Sequence, residues 1–167
     1  GGGTGFAAMA RVPADSGAAS VAFALLVVGF ASKAGIVPLH VWLPRAHPVA
    51  PSHISALMSG VMIMLALYGL IRVLLLWLTG IPTWTGVVLV ALGSLSALVG
   101  VLYALVQRGL TRLLAFSSIE HAGIVVLGLG AALLLESAGQ QEWAAIAFAA
   151  ALLQVLNHAA FKGALFL

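Results

Sequence analysis

The sequence predicts an all-α integral membrane protein, a bundle of about five transmembrane helices that includes broken ones. Hydrophobic residues make up 63% of the 167-residue chain and charged residues only 7%, where a soluble domain carries about a quarter. The apolar residues fall into successive runs of the roughly 20 residues that a bilayer core demands, separated by short breaks. The few ionisable residues include Lys33, Glu120, His121, His158 and Lys162, all inside apolar runs. Such groups are costly in a membrane and face a protein interior or a hydrated cavity.

In chain order, residues 1–17 read as a loop, and the expected spans are about 18–43, 53–77, 84–106, 113–135 and 143–167. The first is interrupted at Lys33-Ala34-Gly35 and again at Pro38, which marks a broken helix whose freed backbone groups must face protein or water. Pro38 to His53 holds four prolines and three histidines, too many stops for a continuous helix. It reads as an ordered loop or short interfacial helix with Trp42 at headgroup depth. Arg45, Arg108 and Arg112 fall in alternate connections, so five spans place them on one face, the cytoplasmic one by the positive-inside rule. Arg11, Asp15, Arg72, Glu136 and Glu142 fall near the other. The glycines are scattered along the helices as close-packing positions. The chain opens GGGTGF without methionine or signal-peptide layout and stops at ALFL inside an apolar run, as expected of an internal piece of a longer protein.

Several chemistries are excluded within these residues. The formal charge of +3 rests on seven basic and four acidic residues with no basic cluster, so nucleic acid is not a partner. The absence of cysteine removes thiolate metal sites, iron–sulfur ligation and disulfides, and no cofactor is expected. No phosphate-binding loop, H-E-x-x-H zinc motif or G-x-S-x-G elbow occurs. A haem held between His121 and His158 is conceivable, but nothing in their spacing selects it.

The chemistry that remains is proton handling. Lys33 has no acidic residue in its run Ala18 to Val37, and a bare ammonium at that depth costs about 3 to over 10 kcal/mol. A desolvated lysine gains and loses protons readily. His158 and Lys162 stand four apart, on one helix face and roughly 6 Å from each other, within reach of a proton passed directly or through one water. Glu120 and His121 join them from the preceding run, with Ser117, Ser118 and Asn157 placed to hold water and His47 in support. Each has a structural reading too. Lys33 can snorkel to an interface, Glu120 and His121 can sit at a helix N-terminus, and His158 and Lys162 can be satisfied structural groups. His40, His47 and His53 fit the proline-rich connection as structural residues.

Three strings in order, FASKAGIVPLHVWLPRAHPVAPSHISALMSGVMI, LTRLLAFSSIEHAGIVVLGLG and LNHAAFKGALFL, resemble the antiporter-like membrane subunits shared by respiratory complex I, Mrp-type cation/proton antiporters and membrane-bound hydrogenases. PSHISALMSG and SSIEHAGI resemble in particular the hydrogenase-4 component B and formate hydrogenlyase type. The resemblance implies two inverted repeats, of which this chain is the second, broken helix first. It makes Lys33 the central proton-carrying lysine, His121 part of the relay, and His158 with Lys162 residents of a second broken helix towards the exit side. It further implies a multi-pass, non-catalytic subunit of an NADH dehydrogenase or hydrogenase type complex in the inner (plasma) membrane. Other membrane and peripheral subunits would be its partners, with protons or sodium as cargo. The chain departs from the pattern at Met64, where many relatives carry lysine, and at Gly109-Leu110-Thr111-Arg112, where relatives often read aspartate-leucine-lysine-arginine. The glutamate that pairs with the central lysine has no counterpart here. An Mrp-type antiporter, a non-pumping scaffold and a haem-binding electron-transfer subunit are the competing readings. On the relay reading, Lys33, His121 and Lys162 face one internal hydrated path.

Overall fold

The computed structural model describes residues 17–77 and 82–166, and within them all regular structure is helical. The expected N-terminal loop therefore lies outside the described residues, except for Gly17. The helices are α1 (Gly17–Ala34), the short α2 (Leu43–Ala46), α3 (52–77), α4 (Thr83–Val106), α5 (Leu110–Ser137) and α6 (Gln141–Phe166). Helix α3 is itself composite: Ser52–Leu57, a π-helical turn Met58–Met62, then Ile63–Trp77.

Four helices are long and apolar enough to cross a membrane, Ser52–Leu74, Thr83–Val106, Leu110–Ser137 and Gln141–Phe166. The first expected span, 18–43, is shorter than its apolar run because α1 stops at Ala34. Gly35 takes φ 74°, a conformation that side chains resist, and the amides of Gly35 and Ile36 turn back to the carbonyls of Ser32 and Ala31 at 3.4 and 2.9 Å. The chain then crosses a cis Val37–Pro38 bond into turns and α2. Two side chains tie this break down. The Trp42 indole also donates to the carbonyl of Ser32, at 2.9 Å, and the Val37 amide donates to Ser96 Oγ of α4 at 2.9 Å.

The core lies between α1, α3, α4 and α5, where Leu43, Ile63, Leu67, Leu89, Ile119, Val125 and Leu129 are fully buried. Met64 is buried in the same core, packed as an apolar residue at a position where the family pattern often has a lysine. The outward faces stay apolar as well, with Leu102, Leu105, Leu153 and Leu156 exposed, as lipid contact requires.

Helices α4 and α5 form a close antiparallel hairpin on paired glycines. A Cβ on Gly86 would meet the Gly130 carbonyl at 3.2 Å, and one on Gly93 would meet the Gly123 carbonyl at 2.7 Å. On Gly100 it would strike the backbone nitrogen of Glu120 at 2.5 Å. In lipid, where no hydrophobic force draws helices together, this approach of backbones provides the packing. Helix α5 ends as α1 does, with Gly139 at φ 76° and the Gln140 amide returned to Leu135.

Helix α6 runs without interruption to Phe166, so no break falls beside His158 and Lys162 within the described residues. The physical reason is local: the segment has no proline, and Gly163 keeps helical geometry.

Candidate functional site

Gln154, His158 and Lys162 recur every four residues along α6 and so lie on one face, turned towards α5 and the π-helical turn of α3. Lys162 and His158 are fully buried, and Lys162 is the largest fully buried side chain among the described residues. The Lys162 ammonium donates to the Leu114 carbonyl at 2.7 Å and to Ser117 Oγ. Its ligands are therefore a carbonyl and a hydroxyl, not a carboxylate. Such ligands hold a charge without neutralising it. Glu120, half-buried in the same stretch of α5, is the acid whose charge reaches Lys162.

A string of hydroxyls links the lysine's carbonyl to the histidine. Ser118 Oγ donates to Leu114 O at 2.9 Å, Ser118 and Ser59 hydroxyls lie 2.9 Å apart, and Ser59 Oγ lies 3.4 Å from His158 Nε2. The His121 ring stands edge-on to that of His158 at 5.5 Å between centroids, and Phe161 packs edge-on against both at 5.0 and 5.3 Å. Gln154 Nε2 holds His121 Nδ1 at 2.7 Å.

His47 approaches from the proline-rich connection. It is fully buried, its ring stacks on Phe166 at 5.0 Å, and its carbonyl accepts from Ser55 Oγ at 3.2 Å. Burial, and secondarily the positive charge of Lys162, lower its pKa to about 4. Because Leu114 is close to the start of α5 and Phe166 ends α6, this cluster sits towards the end of the bundle that carries Arg108 and Arg112.

Of the residues expected to carry chemistry, the fold thus brings together His121, His158, Lys162, Ser117, Ser118 and His47, with Glu120 beside them. Lys33 does not join. It is exposed, because α1 buries the face bearing Phe23, Val27, Ala31 and Ala34 and the lysine points off that face. One shared internal path for Lys33, His121 and Lys162 is therefore not formed by these helices alone. Asn157 is exposed as well, one step off the 154–158–162 face. Glu120 and His121 lie well inside α5, not at its N-terminus. Sequence reasoning missed Ser59 and Gln154. For Gln154 the signal was the four-residue spacing to His158, whereas for Ser59 only the fold shows that the α3 turn abuts α6.

A polytopic helical bundle that keeps an ammonium and two imidazoles inside its apolar interior defines a multi-pass membrane protein with ionisable groups held between its helices. Over residues 1–167 the chain matches the family described as NADH:quinone oxidoreductase/Mrp antiporter, TM, and it belongs to that family. It is 48% identical over 164 residues to hydrogenase-4 component B of Escherichia coli strain K12, covering 97% of this chain and 24% of that protein. With formate hydrogenlyase subunit 3 of the same strain it shares 42% over 141 residues, 84% of this chain and 23% of that protein. Its fold is similar to a chain in the structure of the Mrp complex from Dietzia sp. DQ12-45-1b, with TM-score 0.78 and 27% identity over 99% of this chain and 29% of that one. The chain spans about a quarter of the length of the curated relatives it matches.

Proposed function

We propose that this chain is the proton-conducting part of a non-redox membrane subunit in a hydrogenase or formate hydrogenlyase type complex of the inner (plasma) membrane. Electron transfer in a partner arm drives protons through its Lys/His relay. The observation that carries this is Lys162, fully buried in a membrane-crossing helix and held by a carbonyl and a hydroxyl. A purely structural ammonium buried this fully inside the protein would be expected to carry a carboxylate partner, since burying a charge costs several kcal/mol. A lysine meant to exchange its proton needs ligands that serve both of its forms. His158 and His121 supply further proton-carrying groups beside it, and Glu120 a modulating charge. Lys33 is assigned the role of the central proton-carrying lysine by family resemblance alone, and no residue of this chain matches the glutamate that pairs with it in the family.

The test uses the full-length subunit in its native membrane complex. Lys162→Met keeps most of the side-chain volume and removes the proton site, so redox-driven proton uptake by inverted vesicles should fall to background while electron transfer persists. Unchanged uptake per electron rejects the relay. The similarity to the Mrp complex supports a second reading, a cation/proton antiporter. That reading requires sodium-driven proton movement with no electron donor present, a separate measurement on the same vesicles.

A further inference from the structure

From the hydroxyl string we infer that Ser59 is a positioning residue that holds neutral His158 as the Nε2–H tautomer, so that protons enter and leave this ring at Nδ1. The inference rests on the relay reading above for its role and on a count of hydrogens for its content. A serine hydroxyl has one hydrogen to give. That of Ser118 is given to the Leu114 carbonyl at 2.9 Å. Either hydroxyl can donate in the Ser59–Ser118 contact of 2.9 Å, and with the Ser118 hydrogen on Leu114 O, which also takes Lys162 and the Ser117 hydroxyl at 3.1 Å, the donor is Ser59, which uses its only hydrogen. The contact of Ser59 Oγ with His158 Nε2 at 3.4 Å can form only if the ring nitrogen donates. The hydrogen of neutral His158 is thereby placed on Nε2, and Nδ1 is left as a buried lone pair with no hydrogen-bond partner among the described residues.

The same count applies to His121. Gln154 Nε2 is an amide donor, so His121 Nδ1 accepts at 2.7 Å and its hydrogen resides on Nε2. Two neighbouring rings, 5.5 Å apart, therefore present unlike nitrogens: His121 a donor at Nε2, His158 an acceptor at Nδ1. A proton taken up at His158 Nδ1 gives an imidazolium whose Nε2–H stays on Ser59, and its loss from Nδ1 restores the starting tautomer. No reorientation of the ring is needed between cycles. The anchor of the string is Leu114 O, the oxygen that also accepts from Lys162, so the lysine and the histidine are tied through one carbonyl.

The experiment is solid-state NMR of the full-length protein in lipid with isotope-labelled histidine, His158 being assigned from the resonance lost in His158→Gln. The wild type should show Nε2–H at His158. Ser59→Ala should give a mixture of tautomers, while Ser59→Thr, which keeps the hydroxyl, should retain the wild-type signal. Ser118→Ala should act in the opposite sense, since the freed Ser59 hydrogen turns to Nε2 and moves the ring hydrogen to Nδ1. In the vesicle assay Ser59→Ala should lower proton uptake about fivefold, the factor one neutral hydrogen bond carries, and Ser59→Thr should restore it. Hydrogen on Nδ1 in the wild type, or a tautomer unmoved by both alanine substitutions, overturns the inference even if Lys162→Met abolishes uptake. Tautomers that move as expected while Lys162→Met leaves uptake intact support the assignment at Ser59 and reject the relay reading alone.

Discussion

A lysine, a histidine and a serine hydroxyl at this depth each have to satisfy their hydrogen-bonding capacity inside the protein, and the residues here differ in how far they do so. Lys162 donates to Leu114 O and Ser117, whereas among the described residues neither ring nitrogen of the buried His47 has a hydrogen-bond partner. The cost of His47 depends on pH. Its folded pKa of about 4 lies below the ordinary 6.5, so the unfolded chain binds the extra proton between those values. Its contribution to stability is complete above pH 6.5 and is lost as pH falls through about 4. His47→Gln should flatten that part of the acid limb in thermal-unfolding scans of the purified protein, and an acid limb of unaltered slope would show that other groups set it. Lys33 poses the complementary question. If the family role applies, Lys33→Ala lowers redox-driven proton uptake even though the residue lies outside the buried cluster. Uptake unaffected by Lys33→Ala would confine the relay to α5 and α6.

At the scale of elements, the α4–α5 hairpin depends on glycine where helix backbones touch. Gly93→Val would drive side-chain atoms into the backbone of Gly123 and Leu127, and overpacking of this kind costs about 1–3 kcal/mol. The expected outcome is a lower melting temperature of the full-length subunit and a weakened Lys162 site, because α5 carries both Leu114 and Ser117. An unchanged melting temperature would mean that the two helices can separate without loss. Glycine's role as a packing residue was legible in the sequence, but its pairing across helices was not. Likewise the break at Lys33-Ala34-Gly35 could be read from composition, because Gly35 and Pro38 are local signals. The family pattern implied a break in this segment, whereas α6 is continuous through its described residues, which hold no proline.

For the whole molecule, α5 spans 28 residues, about 42 Å at 1.5 Å per residue, which exceeds the roughly 30 Å hydrocarbon core. Its two ends should therefore open on opposite sides of the membrane. Cysteines placed at Gln107 and at Gln140 should label from opposite faces of sealed vesicles with an impermeant thiol reagent, and labelling of both from one face would refute a spanning α5. Composition and run length by themselves determined that this is an all-α membrane chain, since burying backbone in lipid leaves helices as the economical solution for long apolar runs. The four-residue spacing of His158 and Lys162 likewise fixed their common face, because helix periodicity is a local property. Only the tertiary structure decided that Lys33 faces outwards while Ser59 and Gln154 enter the site, and that one carbonyl of α5 serves both Lys162 and Ser118. Those facts depend on how helices distant in sequence abut, and in a chain apolar on nearly every face the pattern of hydrophobic residues does not say which face meets which.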